Sequence, residues 1–116
     1  MIRGDVRWIE LGPGQAGEAT GHRPAVIVSN NGANAAAARR GKGVVTVVPL
    51  TTNTGVIHRF QVLLPGEACG LPETSKAQVE QIRALAIPRV GPRIGTVPPA
   101  LMREIDEALR IHLALG

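Results

Sequence analysis

A charged residue at the mouth of an uninterrupted apolar run constrains this chain more than any other feature. Arg23 and Pro24 lead into Ala25, Val26, Ile27 and Val28, and the polar turn formers Ser29 and Asn30 close the run. A short apolar run rich in β-branched residues, with no polar alternation, reads as a strand buried on both faces. A loop therefore delivers Arg23 to the start of a buried strand, where packing can hold its guanidinium in one direction. A second such strand, Gly43 to Leu50, opens into Thr51, Thr52, Asn53, Thr54 and Gly55. An arginine at one strand's start and hydroxyls at the next strand's end can converge on a phosphate.

The remaining segments predict more strands and one firm helix. Asp5 to Leu11 alternates weakly and reads as a first strand. The glycines and proline between Gly12 and His22 predict a long mobile loop. Asn31 to Lys42 begins as a turn, continues as a short Ala-rich helical piece and ends in the basic cluster Arg39, Arg40, Lys42. Phe60 to Leu64 is a further strand, followed by a turn-rich loop over 65–75. Alternation predicts one strand over Lys76–Arg83, with Gln81 and Arg83 on one face. Pro88, Gly91 and Pro92 break the chain before a short strand at Ile94 to Val97. Pro98 and Pro99 suit a first helical turn, and Leu101, Ile105, Leu109 and Leu113 recur every fourth residue. At 116 residues the chain is one domain, 1–116. Short strands with one terminal helix predict a mainly β (α+β) fold, a small and strongly curved barrel.

Charge and aromatic content narrow the function. The net charge is +4, and the residues before Pro98 hold eleven basic and six acidic side chains, an excess that favours a polyanionic partner. Trp8 and Phe60 are the only aromatics apart from histidine, too few for a platform on which successive bases stack. RNA would have to be held by charge and hydrogen bonds. No apolar run approaches the ~18 residues of a membrane span, and the charged N-terminus has no signal-peptide core. A cytoplasmic protein without membrane contact is expected. The single cysteine, Cys69, cannot form an internal disulfide. Neither it nor His22, His58 and His112 shows metal-ligand spacing, so no metal and no cofactor is expected.

Several motifs recur in a specific order: Gly4, Asp5, Val6 and Trp8; Glu18 ahead of Arg23 and Pro24; the run to Ser29 and Asn30; Pro49, Leu50 and Thr51; and Gln78 to Arg83. Together, from residue 2 to about residue 115, they resemble the MazF/PemK family, the toxin endoribonucleases of bacterial toxin–antitoxin pairs. The resemblance implies the SH3-like barrel of the MazF/PemK and CcdB toxins. It further implies sequence-selective, metal-independent cleavage of single-stranded RNA, mainly mRNA, by attack of the ribose 2′-OH. The expected assembly is a homodimer with RNA in a groove between subunits, neutralised by a MazE-type antitoxin.

The same resemblance assigns residues. The family's essential arginine maps onto Arg23, whose planar, permanently charged fork suits a phosphorane better than it suits proton abstraction. Its catalytic threonine maps onto Thr51, with a one-residue slip to Thr52 open; without the resemblance, such a threonine would be expected only to bond its own turn. Glu18 sits where the family often carries an acid, placed to orient Arg23 or move a proton. His22 and His58 form a competing acid–base pair straddling the phosphate. Thr52, Asn53, Thr54, Arg39, Arg40 and Lys42 are candidate RNA contacts, and Gln81 either reads a base edge or buttresses the site. The alternatives are a non-catalytic, gyrase-binding toxin of the CcdB kind and a plain nucleic-acid-binding barrel.

Overall fold

The structure, a computed structural model, describes residues 1–116. Its centre is the pair of strands that the apolar runs predict. Strand β1 (Asp5–Glu10) pairs antiparallel with β2 (His22–Ile27), and β2 pairs antiparallel with β3 (Val44–Thr51). Helix α1 (Asn31–Arg40) connects β2 to β3. Strand β4 (Gln61–Leu64) leads through the short helix α2 (Gly66–Cys69) to β5 (Ser75–Gln78), and β6 (Arg83–Ala86), β7 (Val90–Thr96) and helix α3 (Pro99–Leu113) complete the chain. The seven-stranded sheet runs β4-β5-β3-β2-β1-β7, with β6 joined to β3 beside this path. Its outermost strands, β4 and β7, do not pair with each other, so the strongly curved sheet is an open SH3-like barrel.

Alternate residues of β2 and β3 enter two different cores, which explains their unbroken hydrophobicity. Val26, Val28, Val48 and Leu50 pack with Val62, Leu64 and Ile105 of α3. Ala25, Ile27, Val45 and Val47 pack on the other side with Ile9, Leu85 and Ala37 of α1. Each wholly buried Val, Ile or Leu contributes roughly 1.5–3 kcal/mol.

Three local expectations need correction. The Ala-rich piece is a full ten-residue helix. The Asn30 side chain accepts from Ala33 N–H, and Gly41 ends the helix in the left-handed conformation. Lys76–Arg83 is not one strand: β5 stops at Gln78, a 3-10 turn spans Val79–Gln81, and Arg83 opens β6. The turn packs buried Val79 into the core beside α3, and this outweighs the alternation. Gly91 and Pro92 do not interrupt the chain but lie inside β7, which is an outer strand and tolerates the missing N–H of proline. The Gly12–His22 loop, expected to be mobile, is tied at its base by Leu11 N–H to Gly21 O and Gly21 N–H to Gly12 O, each 2.9 Å.

A close backbone approach fixes the segment after α2 against β7. A Cβ on Gly95 would stand 1.9 Å from the Cys69 carbonyl oxygen, and one on Gly70 would stand 2.8 Å from the Ile94 oxygen. Both obstacles are backbone and cannot rotate aside. Gly95→Ala should therefore lower stability by about 3 kcal/mol or more, read as the shift in urea midpoint at unchanged slope. A midpoint within error of the parent would show that the two segments separate freely.

Candidate active site

The β2–β3 register decides which side chains meet. Ala25 faces Pro49, Val26 faces Val48 and Ile27 faces Val47. Continued to the ends of the two strands, the same register sets Pro24 beside Leu50 and Arg23 beside Thr51. These residues, with Trp8, His22 and Thr52, line one open depression of about 290 Å³. The arginine at one strand's start and the hydroxyl at the next strand's end do converge.

Arg23 is half-buried and held from behind. Its Nε donates to the Thr20 carbonyl at 2.9 Å, while the two terminal nitrogens have no protein partner. A guanidinium anchored through Nε presents its remaining N–H groups as a fixed fork, the arrangement that grips two oxygens of one phosphate. Thr51 Oγ1 accepts from the Asn53 N–H at 3.2 Å. The local turn bond expected of such a threonine is thus present, yet it uses only the oxygen's acceptor capacity and leaves the hydroxyl proton free to donate. Asn53 in turn accepts from Gly55 N–H at 3.5 Å through its side chain.

Of the two histidines, only His22 is at this site. Its ring stacks on Trp8 with centroids 4.9 Å apart and planes at 23°. His58 lies elsewhere, stacked on Phe60 at 5.2 Å, with His112 of α3 on the far side of that ring at 6.1 Å. The two cannot straddle one phosphate. Glu18 does not reach Arg23 either: its Oε1 accepts from Gln15 N–H at 2.5 Å, closing a turn within its own loop.

The largest concavity, about 690 Å³, lies between that loop and the Glu80–Arg83 segment. It contains Glu18 and Gln81 but neither Arg23 nor Thr51, so its size does not make it the reactive centre. Gln81 is committed there at both ends of its amide. Its Oε1 accepts from Ala19 N–H at 2.9 Å and its Nε2 donates to Gly17 O at 2.7 Å. This side chain holds no free edge for a base; of its two expected roles it takes the buttress, fixing the loop one residue before Thr20, the carbonyl that anchors Arg23.

Arg39, Arg40 and Lys42 are exposed around the C-terminal end of α1, next to the start of β3. Thr51 is at the other end of that eight-residue strand, about 23 Å away. The basic cluster is therefore not part of the depression. Thr52 and Asn53 are exposed at its edge and Thr54 is half-buried beyond them.

Two contributors escape the sequence reading. Lys76, paired with Thr51 across β3 and β5, is buried and donates from Nζ to Val56 O at 2.7 Å, tying down the loop that follows the threonines. Trp8, Pro24, Leu50, Leu71 and Pro72 enclose a narrow slot of about 110 Å³ that opens beside the depression. A lone lysine in a short strand gives no sign of burial, and Leu71–Pro72 read only as a turn. Cys69 is buried and its thiol is pushed up from the ordinary range by loss of hydration, which makes it a poor nucleophile. No three His, Cys, Asp or Glu side chains cluster to hold a metal. No helix is long and apolar enough to cross a membrane.

Comparison with known proteins agrees with this geometry over the whole chain. Endoribonuclease MazF9 of Mycobacterium tuberculosis is 48% identical over 115 residues, spanning 99% of this chain and 98% of that protein. A solved mycobacterial endoribonuclease in complex with its cognate antitoxin superposes with a TM-score of 0.78 at 30% identity, covering 100% of this chain and 97% of the other. MazF from Deinococcus radiodurans, at 20% identity, shares the fold with a TM-score of 0.81 over 99% of this chain and 97% of its own. The sequence model of the PemK-like, MazF-like toxins of type II toxin–antitoxin systems matches residues 2–113, and the chain belongs to that family.

Proposed function

We propose that this chain is a sequence-selective endoribonuclease toxin. It cuts single-stranded RNA, mainly mRNA, by attack of a ribose 2′-OH on the adjoining phosphate, and a MazE-type antitoxin in the cytoplasm restrains it. The observation that carries the reading is the pairing of Arg23, anchored through Nε with its terminal nitrogens free, with the donating hydroxyl of Thr51 across one register step. The endoribonuclease relatives and the antitoxin-bound neighbour support RNA cleavage over gyrase binding.

In this mechanism Arg23 neutralises charge on the non-bridging oxygens as the phosphorane forms. Thr51 donates to one of them and holds the phosphate in line with the attacking oxygen. His22 is the one side chain lining the depression that exchanges protons near neutral pH, so it takes or supplies the proton that the arginine cannot. No metal enters, because no set of donor side chains is placed to hold one. Glu18 and Gln81 act through the loop, and His58 has no part.

The reaction should proceed in EDTA and leave a 2′,3′-cyclic phosphate and a 5′-hydroxyl. Arg23→Lys, which keeps charge but loses the fork, should fall about 10²–10³-fold in single-turnover rate, close to Arg23→Ala, and Thr51→Ala should fall by a similar factor. His22→Ala should lose about 10²-fold, while His58→Ala stays close to the parent. A healthy Arg23→Lys beside a dead His58→Ala would overturn the assignment.

Assembly and distant contacts are separately testable. Exposed apolar side chains, among them Ile2, Val44, Leu63 and Val56, give a second copy something to cover, and the single-subunit depression is shallow. Sedimentation should show a dimer of the 12.2 kDa chain at micromolar concentration; a fully active monomer would remove a shared groove. Arg39, Arg40 and Lys42 contact only an RNA long enough to reach them. Replacing all three by Gln should reduce the log–log salt slope by about 0.7 per lost phosphate contact on a long single strand, and not on an oligonucleotide confined to the depression.

A further inference from the structure

We infer that the slot beside the depression receives the base of a nucleotide adjoining the cut, and that Glu73 at its rim selects a base with an exocyclic amino group over uracil. This rests on the RNA-cleaving reading above. Slot and depression share Trp8, Pro24, Leu50, Thr51 and Thr52, so a base in the slot and a phosphate on Arg23 belong to neighbouring positions of one strand. The slot's walls are flat or aliphatic: an indole, the rings of Pro24 and Pro72, and the side chains of Leu50 and Leu71. A planar heterocycle fits such walls by excluding water, and stacking of this sort is indifferent to base identity.

Identity has to come from the polar rim. Glu73 is exposed and its carboxylate has no protein partner, while its backbone carbonyl accepts from Ser75 Oγ at 3.1 Å, which fixes the chain at the slot's mouth. An unpaired carboxylate beside a phosphate site repels the nucleic-acid backbone. Its place there is consistent with a compensating contact, and an ionised carboxylate can only accept hydrogen bonds. Adenine, cytosine and guanine each carry an amino group that donates; uracil presents carbonyl oxygens, which the carboxylate repels. Glu73 is thus a specificity-determining residue, distinct from the groups acting on the phosphate.

The test is cleavage of a randomised single-stranded RNA pool, with the bases flanking each cut counted. The parent should favour amino-bearing bases over uracil about tenfold or more at one position adjoining the cut. Glu73→Gln should lose most of that preference, and Glu73→Lys, which donates instead of accepting, should turn it towards bases presenting carbonyl oxygens. A substrate with an abasic residue at that position should slow the parent about tenfold and erase the difference between parent and Glu73→Gln. An unchanged preference in both variants, or an abasic substrate cut as fast as the intact one, overturns the inference. So does a finding that the variants alter only antitoxin affinity, which would make the slot a peptide-binding site. If a variant loses all activity, the abasic comparison with the parent decides. A parent that cuts no RNA refutes the proposed function itself, a result distinct from cleavage without the base preference.

Discussion

The burial of β2 and β3 on both faces is the constraint from which the site follows. Neither strand can slide by one residue, because a slip would exchange the side chains entering the two cores and place Val26 where Ile27 fits. Register is therefore rigidly specified, and with it the juxtaposition of the residues just beyond the buried stretch. Arg23 and Thr51 lie where the apolar packing ends and water begins. The barrel interior acts as a ruler that sets the spacing between a cation and a hydroxyl on its surface.

Holding the cation still requires more than the strand. The Thr20 carbonyl grips Nε of Arg23, and the loop carrying Thr20 is gripped by Gln81 from the 3-10 turn between β5 and β6. On the other flank, buried Lys76 holds the loop after Thr52 through the Val56 carbonyl. Both supports end on backbone carbonyls of loops otherwise rich in glycine and small polar residues. Orientation at the site is thus supplied by long polar side chains reaching out of the sheet, while the loops themselves contribute little packing.

Much of this was legible in the residues, and the reasons for the rest are physical. Strands β2 and β3 and helix α3 announce themselves because burial imposes a repeating pattern, and the Arg23–Thr51 pair could be read from the ends of those runs. The 3-10 turn at Val79–Gln81 was hidden because a single buried valine breaks a strand without disturbing the alternation around it. The separation of His22 from His58 was equally hidden, since both occupy polar loops and only the path of the chain past Phe60 carries one of them towards α3. Glu18 misled for a related reason: nearness in sequence to Arg23 says nothing about a carboxylate that can close a turn on its own loop.

The contact between Gly70 and Gly95 has a consequence for how such a protein can diverge. It is made by backbone atoms alone, so the segment Leu71–Glu73 is moored by two glycines upstream and across the sheet, independently of its own exposed side chains. Pro72 and Glu73 are consequently free to change without loosening the barrel. A scaffold of this kind separates the inheritance of its chemistry from that of its target preference: descendants can drift towards new recognition sequences while the phosphate-handling machinery is passed on intact.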